Sequence, residues 1–437
     1  MVNDEASLGY HSVTLDPEGV TVTAEAPHRI RTMRGRDPRE SHRASTPLEL
    51  LYDLTFAVAF GVAGSQLAHY LAEGHFQTAT SGFLFAMWAI CWTWVNFSWF
   101  ASAFDTDDWA YRLAVMVQMV GVIILTLGLP VMYTSFDGTG SVNNGTMVLG
   151  YVVMRVGMVY LWLRAARDCP ELRSTCLTYA GCLVVAQVGW IALAFVRVDR
   201  PTFLVLGFIL MVIELVGPVI AETRKAGGTP WHAHHIAERY SLLTIITLGE
   251  GIIGTVASLS VLVELDHGWT PEAFGLAFAG IALTLGMWWG YFAVDPIPAL
   301  EAHRDRSFGW GYGHLLIFTA IAATGAGLHV AAYYLEHQSH LSAFLTVLAV
   351  VFPVGLFVMT LFGLYYQLYR QFDLLHGMLL VLTMIALAVP LVMAASGVAV
   401  QWCLMVLCLA PMVTVIGYEG WGHRHMAAVL ANLQTSD

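Results

Sequence analysis

Apolar stretches of about 20 residues recur along almost the whole chain, and each is long enough to cross about 30 Å of hydrocarbon as a helix. Hydrophobic residues make up 57% of the 437 residues and charged residues only 12%, whereas a soluble protein carries about 25% charged residues. The sequence therefore predicts an all-α, polytopic membrane protein. Its twelve transmembrane helices are placed at residues 48–71, 79–102, 111–132, 145–163, 176–196, 202–221, 239–262, 272–294, 310–334, 342–368, 374–396 and 399–417.

Basic residues fall on alternate connections between these helices. If the N-terminus is cytoplasmic, 17 of the 20 basic residues lie on the cytoplasmic side, as the positive-inside rule requires. Only Arg197 and Arg200 then lie outside, and Arg155 lies within a helix. We therefore expect a multi-pass protein of the plasma membrane with both termini in the cytoplasm.

The distribution of polar residues divides the chain into five regions. Residues 1–45 are polar, contain no apolar core of a signal peptide, and are expected to form a disordered cytoplasmic tail. Residues 46–222 form a first six-helix half, and residues 236–420 form a second. Residues 223–235 are a cytoplasmic linker, and residues 421–437 are a cytoplasmic C-terminal tail.

The two halves show an internal repeat with an offset of about 190 residues. Glu49-Leu50-Leu51-Tyr52 corresponds to Glu238-Arg239-Tyr240-Ser241. The aromatic end of the second helix, WTWVNFSWFASAFDTDDWAYR, corresponds to GMWWGYFAVDPIPALEAHRDR at the end of the eighth. An even number of helices separates the copies, so the sequence predicts two parallel six-helix repeats. Repeats of this kind place a transport site between the halves near the middle of the membrane.

Three of these segments resemble the bacterial low temperature requirement A family. They are RASTPLELLYDLTFAVAF, the FDTDD that follows the second helix, and HHIAERYSLLTIITLGEGI. The resemblance extends over about residues 42 to 420 and implies a multi-spanning protein of the bacterial inner membrane. It implies little about mechanism, because the molecular activity of the family is poorly defined. Tyr52 and Thr55 stand where the family is expected to prefer Phe and Val.

Two acids lie one turn apart at the start of the first helix. Glu49 and Asp53 share one helix face and are candidates to bind or relay a cation. The alternative is ordinary helix N-terminal chemistry after Thr46-Pro47, which explains Glu49 better than Asp53. An ion pair with Arg43, Arg112 or Arg239 is the structural explanation for Asp53. Glu238 opens the corresponding helix of the second half.

Two further acids lie deep within predicted helices. Glu250 is flanked by small residues, which let a neighbouring backbone or a ligand approach. Glu214 lies in the sixth helix, and Arg155 is the one base in the middle of a span. Since an acid at this depth must be paired, protonated or hydrated, Glu214 and Glu250 compete for Arg155. The acid left over is the best candidate for a group that binds and releases protons.

The segment before the seventh helix, HAHHIAE, contains His232, His234 and His235 followed by Glu238. Histidine and carboxylate at positions i and i+3 are able to share a metal ion, although a hydrogen-bonded loop is more typical of so short a histidine run. Trp88, Trp92 and Trp99 lie along one stripe of the second helix beside Asn96. Such a stripe is more typical of packing than of an aromatic cation site.

The sequence therefore favours transport of a small solute or ion coupled to protons through buried carboxylates, with Glu250 as the preferred site. One alternative is a cation channel with the first helix of each repeat lining the pore. Such an arrangement, with an arginine and an acid near the start of the first helix, is loosely similar to the lysosomal potassium channel family. The spacing of the two residues differs, because Arg43 here lies ten residues before Asp53. The other alternative is a metal-dependent membrane enzyme that uses the histidines. The expected partners are the lipid bilayer and a small solute or cation, with a homo-oligomer left open. No cofactor is expected, and no motif indicates nucleic-acid binding.

Overall fold

The computed structural model describes residues 30–40, 43–138, 140–223, 228–265 and 268–427. The described residues form helices and connections with no strand. The helices are α1 Pro47–Ala72, α2 Phe76–Phe104, α3 Trp109–Asp137, α4 Gly145–Asp168, α5 Arg173–Phe195, α6 Arg200–Glu222, α7 Ala233–Leu265, α8 Pro271–Phe292, α9 Ile297–Ala302, α10 Ser307–Leu335, α11 Ala343–Tyr369, α12 Leu374–Ala395, α13 Val400–Leu407 and α14 Leu409–Gly417.

Twelve segments among the described residues are long and apolar enough to cross a membrane, with α13 and α14 together forming the last of them. This confirms the prediction of an all-α, polytopic membrane protein. The arrangement of the helices as two parallel repeats stays a prediction. One boundary differs clearly from expectation, because α7 begins at Ala233, six residues before its predicted start at residue 239. His234, His235 and Glu238 therefore lie on the first turns of a helix rather than in a loop.

Helix α2 lies at the centre of the fold, with α10 against it. The bulky aromatic side chains of α2, including Trp92 and Trp94, are buried. In contrast, α6 and α12 leave most of their apolar side chains exposed, as expected of helices that face lipid. The aromatic centre of the bundle is therefore shielded from lipid by the surrounding helices.

Among the described connections, those on one side of the bundle carry nine basic residues and those on the other side carry one, Arg197. We call the first side the basic face and define it by residues 30–40, 43–46, 105–108, 169–172, 228–232, 293–306, 370–373 and 418–427. Its cytoplasmic location remains a prediction from the positive-inside rule.

Part of the predicted N-terminal tail lies against this face. Residues 1–29 are outside the described residues, but Met33 is fully buried and its N–H donates to Asp168 at 3.0 Å. The N–H of Arg31 donates to Asp108 at 3.1 Å, and that of Arg36 to the Ala103 carbonyl at 2.9 Å. Residues 31–36 are thus held by specific contacts with the ends of α2, α3 and α4.

Candidate functional site

The start of α1 fixes the positions of two buried acids. Thr46 caps the helix: its hydroxyl accepts the Glu49 N–H at 3.3 Å, and the Glu49 carboxylate accepts the Thr46 N–H at 2.8 Å. This reciprocal capping box satisfies backbone donors that the helix itself leaves free. Asp53 lies one turn further along the same face, and both acids are fully buried.

Arg239 of α7 lies between the two acids. Its guanidinium is 3.0 Å from Glu49 Oε1, donates through Nε to Asp53 at 3.1 Å, and pairs with Asp53 again through its second terminal nitrogen. His235, one turn earlier on α7, places Nε2 3.1 Å from Glu49 Oε1. Trp94 of α2 donates its indole N–H to Asp53 at 2.6 Å. We call Glu49, Asp53, His235 and Arg239 the charged cluster.

The charges of the charged cluster do not balance when His235 is neutral. Two carboxylates then face one guanidinium, and all four side chains have 0% exposure. One added proton makes the group neutral, which matters because an uncompensated charge is costly away from water. The buried His235 Nδ1 and the Tyr52 hydroxyl also lack a hydrogen-bond partner among the described residues. The charged cluster therefore carries one net negative charge in this protonation state.

Sequence reasoning identified both acids and included Arg239 among the candidate partners of Asp53. It did not predict that Arg239 bridges both acids or that His235 joins them. Glu238, in contrast, lies outside the charged cluster and accepts the Ser45 N–H at 3.1 Å.

Arg155 pairs with Glu214 rather than with Glu250. The Arg155–Glu214 distance is 2.6 Å, and the Glu214 carboxylate also accepts the Tyr151 hydroxyl at 2.7 Å and the Trp190 indole N–H at 2.8 Å. Glu214 thus has three buried donors and is the structurally paired acid of the two.

Glu250 is the acid left over. It is half-buried and has no ion pair with any residue that the structure describes. Its carboxylate lies against Gly61 of α1, where a Cβ would come within 2.7 Å of Glu250 Oε2. Since α7 rises about 1.5 Å per residue, Glu250 lies about 16 Å beyond Arg239 along the same helix. Arg239 and Glu250 are therefore two well-separated ionisable residues on the same helix, α7.

The three histidines near the start of α7 point to different partners. His232 Nε2 contacts the Glu40 carbonyl at 2.6 Å, and His235 contacts Glu49. His234 faces a cavity instead. None of the three belongs to a group of potential metal ligands among the described residues. A metal site at this segment therefore stays a prediction from the sequence.

A cavity of about 980 Å³ opens at the basic face between α2, α4, α5, α6 and α10. We call it the aromatic cavity. Its rim includes the exposed Arg39, Glu301 and Asp305, and its deep wall includes Trp92 and Asn96. Because Trp92 lies twelve residues before the end of α2, the cavity extends about 18 Å along that helix. This reaches roughly the middle of a 30 Å hydrocarbon layer.

The stripe of α2 predicted from sequence contributes only part of this cavity. Trp92, Trp99 and Asn96 line it, whereas Trp88 packs against Trp190, with ring centroids 5.6 Å apart. The remaining aromatic lining comes from other parts of the chain and was not singled out by sequence: Trp162, Tyr179, Trp231, Phe308 and Tyr312. No local pattern marks these residues, since only the tertiary fold brings them together.

One hydrogen bond links the aromatic cavity to α7 beside the charged cluster. The indole N–H of Trp99 donates to the Tyr240 hydroxyl at 2.9 Å. Tyr240 is the neighbour of Arg239 in sequence, and its ring packs edge-on against Trp94, 4.9 Å away between centroids. Tyr240 of α7 is therefore in direct contact with Trp99 of the cavity wall.

A second cavity, of about 540 Å³, lies between α7, α8, α10, α11, α12 and residues 418–427. We call it the C-terminal cavity. Its lining is mainly apolar, with polar side chains from His234, Glu238, Tyr291, His376 and His425.

The acids after α2 have structural partners. Asp107 pairs with Arg112 at 2.8 Å, and Asp108 caps α3 through the Tyr111 N–H at 3.0 Å. Asp108 also pairs with Arg164. Burial alone would raise the pKa of Asp108, but the hydrogen bonds from Arg164 and from backbone N–H groups lower it to about 2.

This pair predicts an acid-sensitive contribution to stability. The pKa of Asp108 in the folded protein lies below its ordinary value of 3.8, so the contribution is complete above that value and is lost as the pH falls towards about 2. We expect Asp108→Asn to lower the unfolding temperature at pH 6 and to flatten its fall below pH 4. Thermal unfolding of purified protein between pH 2 and pH 7 measures this. Parallel curves for the two proteins would contradict the prediction.

Comparison with known proteins gives two results. The family model described as bacterial low temperature requirement A protein (LtrA) matches residues 44–411. Uncharacterized protein RA0937 of Rhizobium meliloti (strain 1021) is 27% identical over 307 residues, which cover 67% of this chain and 70% of that protein. The match extends over the charged cluster, Glu250 and most of the aromatic cavity, whereas residues 412–427 lie beyond it.

Proposed function

The chain belongs to the bacterial low temperature requirement A protein (LtrA) family, and we propose that this multi-pass membrane protein transports a small organic solute together with protons. The observation that carries the proposal is the aromatic cavity, which runs from exposed residues at the basic face to Trp92. A carrier needs such a site, open to one side and closed towards the other. The charged cluster and Glu250 supply groups that take up protons.

The size and lining of the aromatic cavity suit a small organic molecule. Its volume of about 980 Å³ lies at the upper end of the range of about 300–1,000 Å³ that is usual for ligand pockets. Asn96 donates its side-chain N–H to the Trp92 carbonyl at 2.7 Å, which fixes the amide at the deep wall. The amide oxygen of Asn96 is therefore the polar group offered to a solute among the aromatic rings.

The charges of the lining favour a cationic or neutral solute over an anion. The lining contains three acidic residues, Glu222, Glu301 and Asp305, and two basic residues, Arg39 and Arg304. Arg304 is already stacked on the Trp231 ring, 3.8 Å from its centroid, so part of the positive charge is engaged. Aromatic faces attract cations. We therefore propose a solute with a planar aromatic or cationic part.

Proton uptake would act on the cavity through α7. Protonation removes the excess negative charge between α1 and α7 and so changes the strength with which Arg239 holds both acids. The hydrogen bond between Tyr240 and Trp99 passes a shift of α7 to the cavity wall. Coupling requires that the two protonation states differ in affinity for the solute, and this contact gives a physical route for the difference.

The other two functions have weaker geometric support. A pore between the first helices of the two halves would have to pass through the charged cluster, where fully buried side chains of α1 and α7 are in direct contact. A metal-dependent enzyme centred on His232, His234 and His235 would need these side chains to converge on one ion, whereas His235 contacts Glu49 and none of the three belongs to a group of potential metal ligands among the described residues.

A single substitution at the deep wall tests the solute site. We expect Asn96→Leu to weaken solute binding about tenfold, because the cavity loses one polar partner worth about 1–1.5 kcal/mol. Titration calorimetry with protein in lipid nanodiscs measures this, using benzyltrimethylammonium, tryptamine and benzamide as cationic, amine and neutral aromatic probes. The matched control is Asn143→Leu, since Asn143 is exposed at the opposite face.

The outcomes separate clearly. Binding of at least one probe that weakens in Asn96→Leu and not in Asn143→Leu supports the aromatic cavity as the solute site. Binding of none of the three probes, or equal binding by both variants and the unchanged protein, would contradict it.

A further inference from the structure

Three potential metal ligands meet at the edge of the C-terminal cavity. They are Asp373, His376 and His425, and one ligand atom from each lies within 4.8 Å of the others. Among the described residues this is the one group of three such side chains with that geometry. His376 Nδ1 is 2.7 Å from Asp373 Oδ1, and His425 Nδ1 is 3.4 Å from Asp373 Oδ2.

The first two ligands are positioned by the start of α12. Asp373 is the N-cap of this helix and accepts the His376 N–H at 3.1 Å. The His376 ring is stacked on Tyr365 of α11, with centroids 4.6 Å apart and an interplanar angle of 24°. Helix capping accounts for the contact between Asp373 and the His376 backbone. It does not require the imidazole to turn back towards the same carboxylate.

The third ligand comes from the C-terminal end of the described chain. His425 follows the short π-helical turn after α14 and places its ring 5.7 Å from that of His376, centroid to centroid. Its Nδ1 faces Asp373, while its Nε2 is buried without a hydrogen-bond partner among the described residues. Neither capping nor packing of α12 explains why this histidine faces the other two groups.

The side chains are accessible enough for an ion to enter. Asp373, His376 and His425 are 39%, 13% and 33% exposed, so the group lies at the surface of the basic face. Both histidines also line the C-terminal cavity. An ion held here would therefore lie at the cavity wall with access from solvent.

The donor set selects a class of metal. Two imidazole nitrogens and one carboxylate oxygen suit Zn²⁺ and neighbouring divalent transition metals, whereas Mg²⁺ and Ca²⁺ prefer oxygen ligands alone. Three protein ligands leave at least one position for water or another ligand. We propose that Asp373, His376 and His425 form a binding site for a divalent transition-metal ion of the Zn²⁺ type.

Binding of this ion would join residues 418–427 to the start of α12. The site lies apart from the charged cluster and from the aromatic cavity, and its existence does not depend on transport. Because His376 and His425 line the C-terminal cavity, the ion would also fix that part of the cavity wall.

The test uses the full-length protein without an affinity tag, stripped of metal by chelation and then dialysed against Zn²⁺. We expect about one zinc ion per chain by elemental analysis, since zinc sites of this kind take one ion. Asp373→Asn should weaken zinc binding at least about tenfold while keeping α12 capped, because asparagine caps helices as well as aspartate does. The combined variant His376→Ala/His425→Ala should lose the ion.

The chain provides a matched control two residues away from one ligand. His423 is exposed and lies outside the group of three, so His423→Ala should retain zinc. Cobalt(II) substituted for zinc should give a visible absorption band in the unchanged protein that disappears in Asp373→Asn. No zinc above background in the unchanged protein, or as much zinc in Asp373→Asn and in the double variant as in the unchanged protein, would overturn the proposal.

Discussion

Replacement of Arg239 by alanine is expected to lower the free energy of unfolding by about 3–5 kcal/mol, the range found when one partner of a buried ion pair is removed. Arg239 is the guanidinium between Glu49 and Asp53, and all three side chains have 0% exposure. Its removal leaves two carboxylates buried without their cation. Since the three residues join α1 to α7, the loss affects the contact between distant parts of the chain. Chemical unfolding of purified protein in detergent micelles measures the change.

A surface arginine provides the matched control for this prediction. Arg112 pairs with Asp107 at 2.8 Å, but the two side chains are 54% and 39% exposed. Exposed pairs of this kind contribute about 0–1 kcal/mol, so Arg112→Ala should unfold almost as the unchanged protein does. A combined variant, Arg239→Met with Glu49→Gln and Asp53→Asn, removes all three charges and should recover part of the loss. Equal stability of Arg239→Ala and Arg112→Ala would show that Arg239 does not neutralise buried acids.

The second large effect is expected at Glu250, where Glu250→Gln should abolish proton movement with folding intact. The acid has no ion pair among the described residues and lies against Gly61, so glutamine fits the same space without the ability to release a proton. Because no paired partner is lost, the free energy of unfolding should change little. A pH-sensitive dye enclosed in proteoliposomes measures proton flux, and unfolding of the same preparation measures stability.

The control for Glu250→Gln is Asp107→Asn. It also replaces an acid by its amide, but at an exposed position on the basic face. We expect its proton flux to remain close to that of the unchanged protein. Normal proton flux in Glu250→Gln protein of unchanged stability would remove Glu250 from the transport pathway.

The fold class could be predicted because hydrophobic stretches of membrane length are a local property of the sequence. Each of the twelve predicted spans has a helix at the same place in the chain. The start of α7 was misplaced since His234, His235 and Glu238 look like loop residues in a hydropathy pattern. The burial of His235 depends on its contact with Glu49, which lies almost 190 residues away in sequence, and no local pattern reports such a contact.

The candidate site was also predicted only in part from the sequence. Glu49, Asp53 and Glu250 were found from sequence because an acid within an apolar helix needs a physical reason. The competition between Glu214 and Glu250 for Arg155 was also recognised, but only tertiary geometry shows that Glu214 has the arginine. The aromatic cavity depends on side chains from several helices, and a single sequence does not show which tryptophans face one another. The group of Asp373, His376 and His425 was missed for the same reason, since a long stretch of chain separates the first two residues from the third.

The most direct measurement is proton movement driven by a solute gradient in proteoliposomes that contain the unchanged protein and an internal pH dye. The solute is the aromatic probe that binds most tightly in calorimetry. We predict that the gradient changes the internal pH, that the rate saturates with solute concentration, and that Asn96→Leu and Glu250→Gln each reduce it. A solute gradient that moves no protons, or a proton flux that neither saturates nor depends on Asn96, would contradict proton-coupled transport through the aromatic cavity.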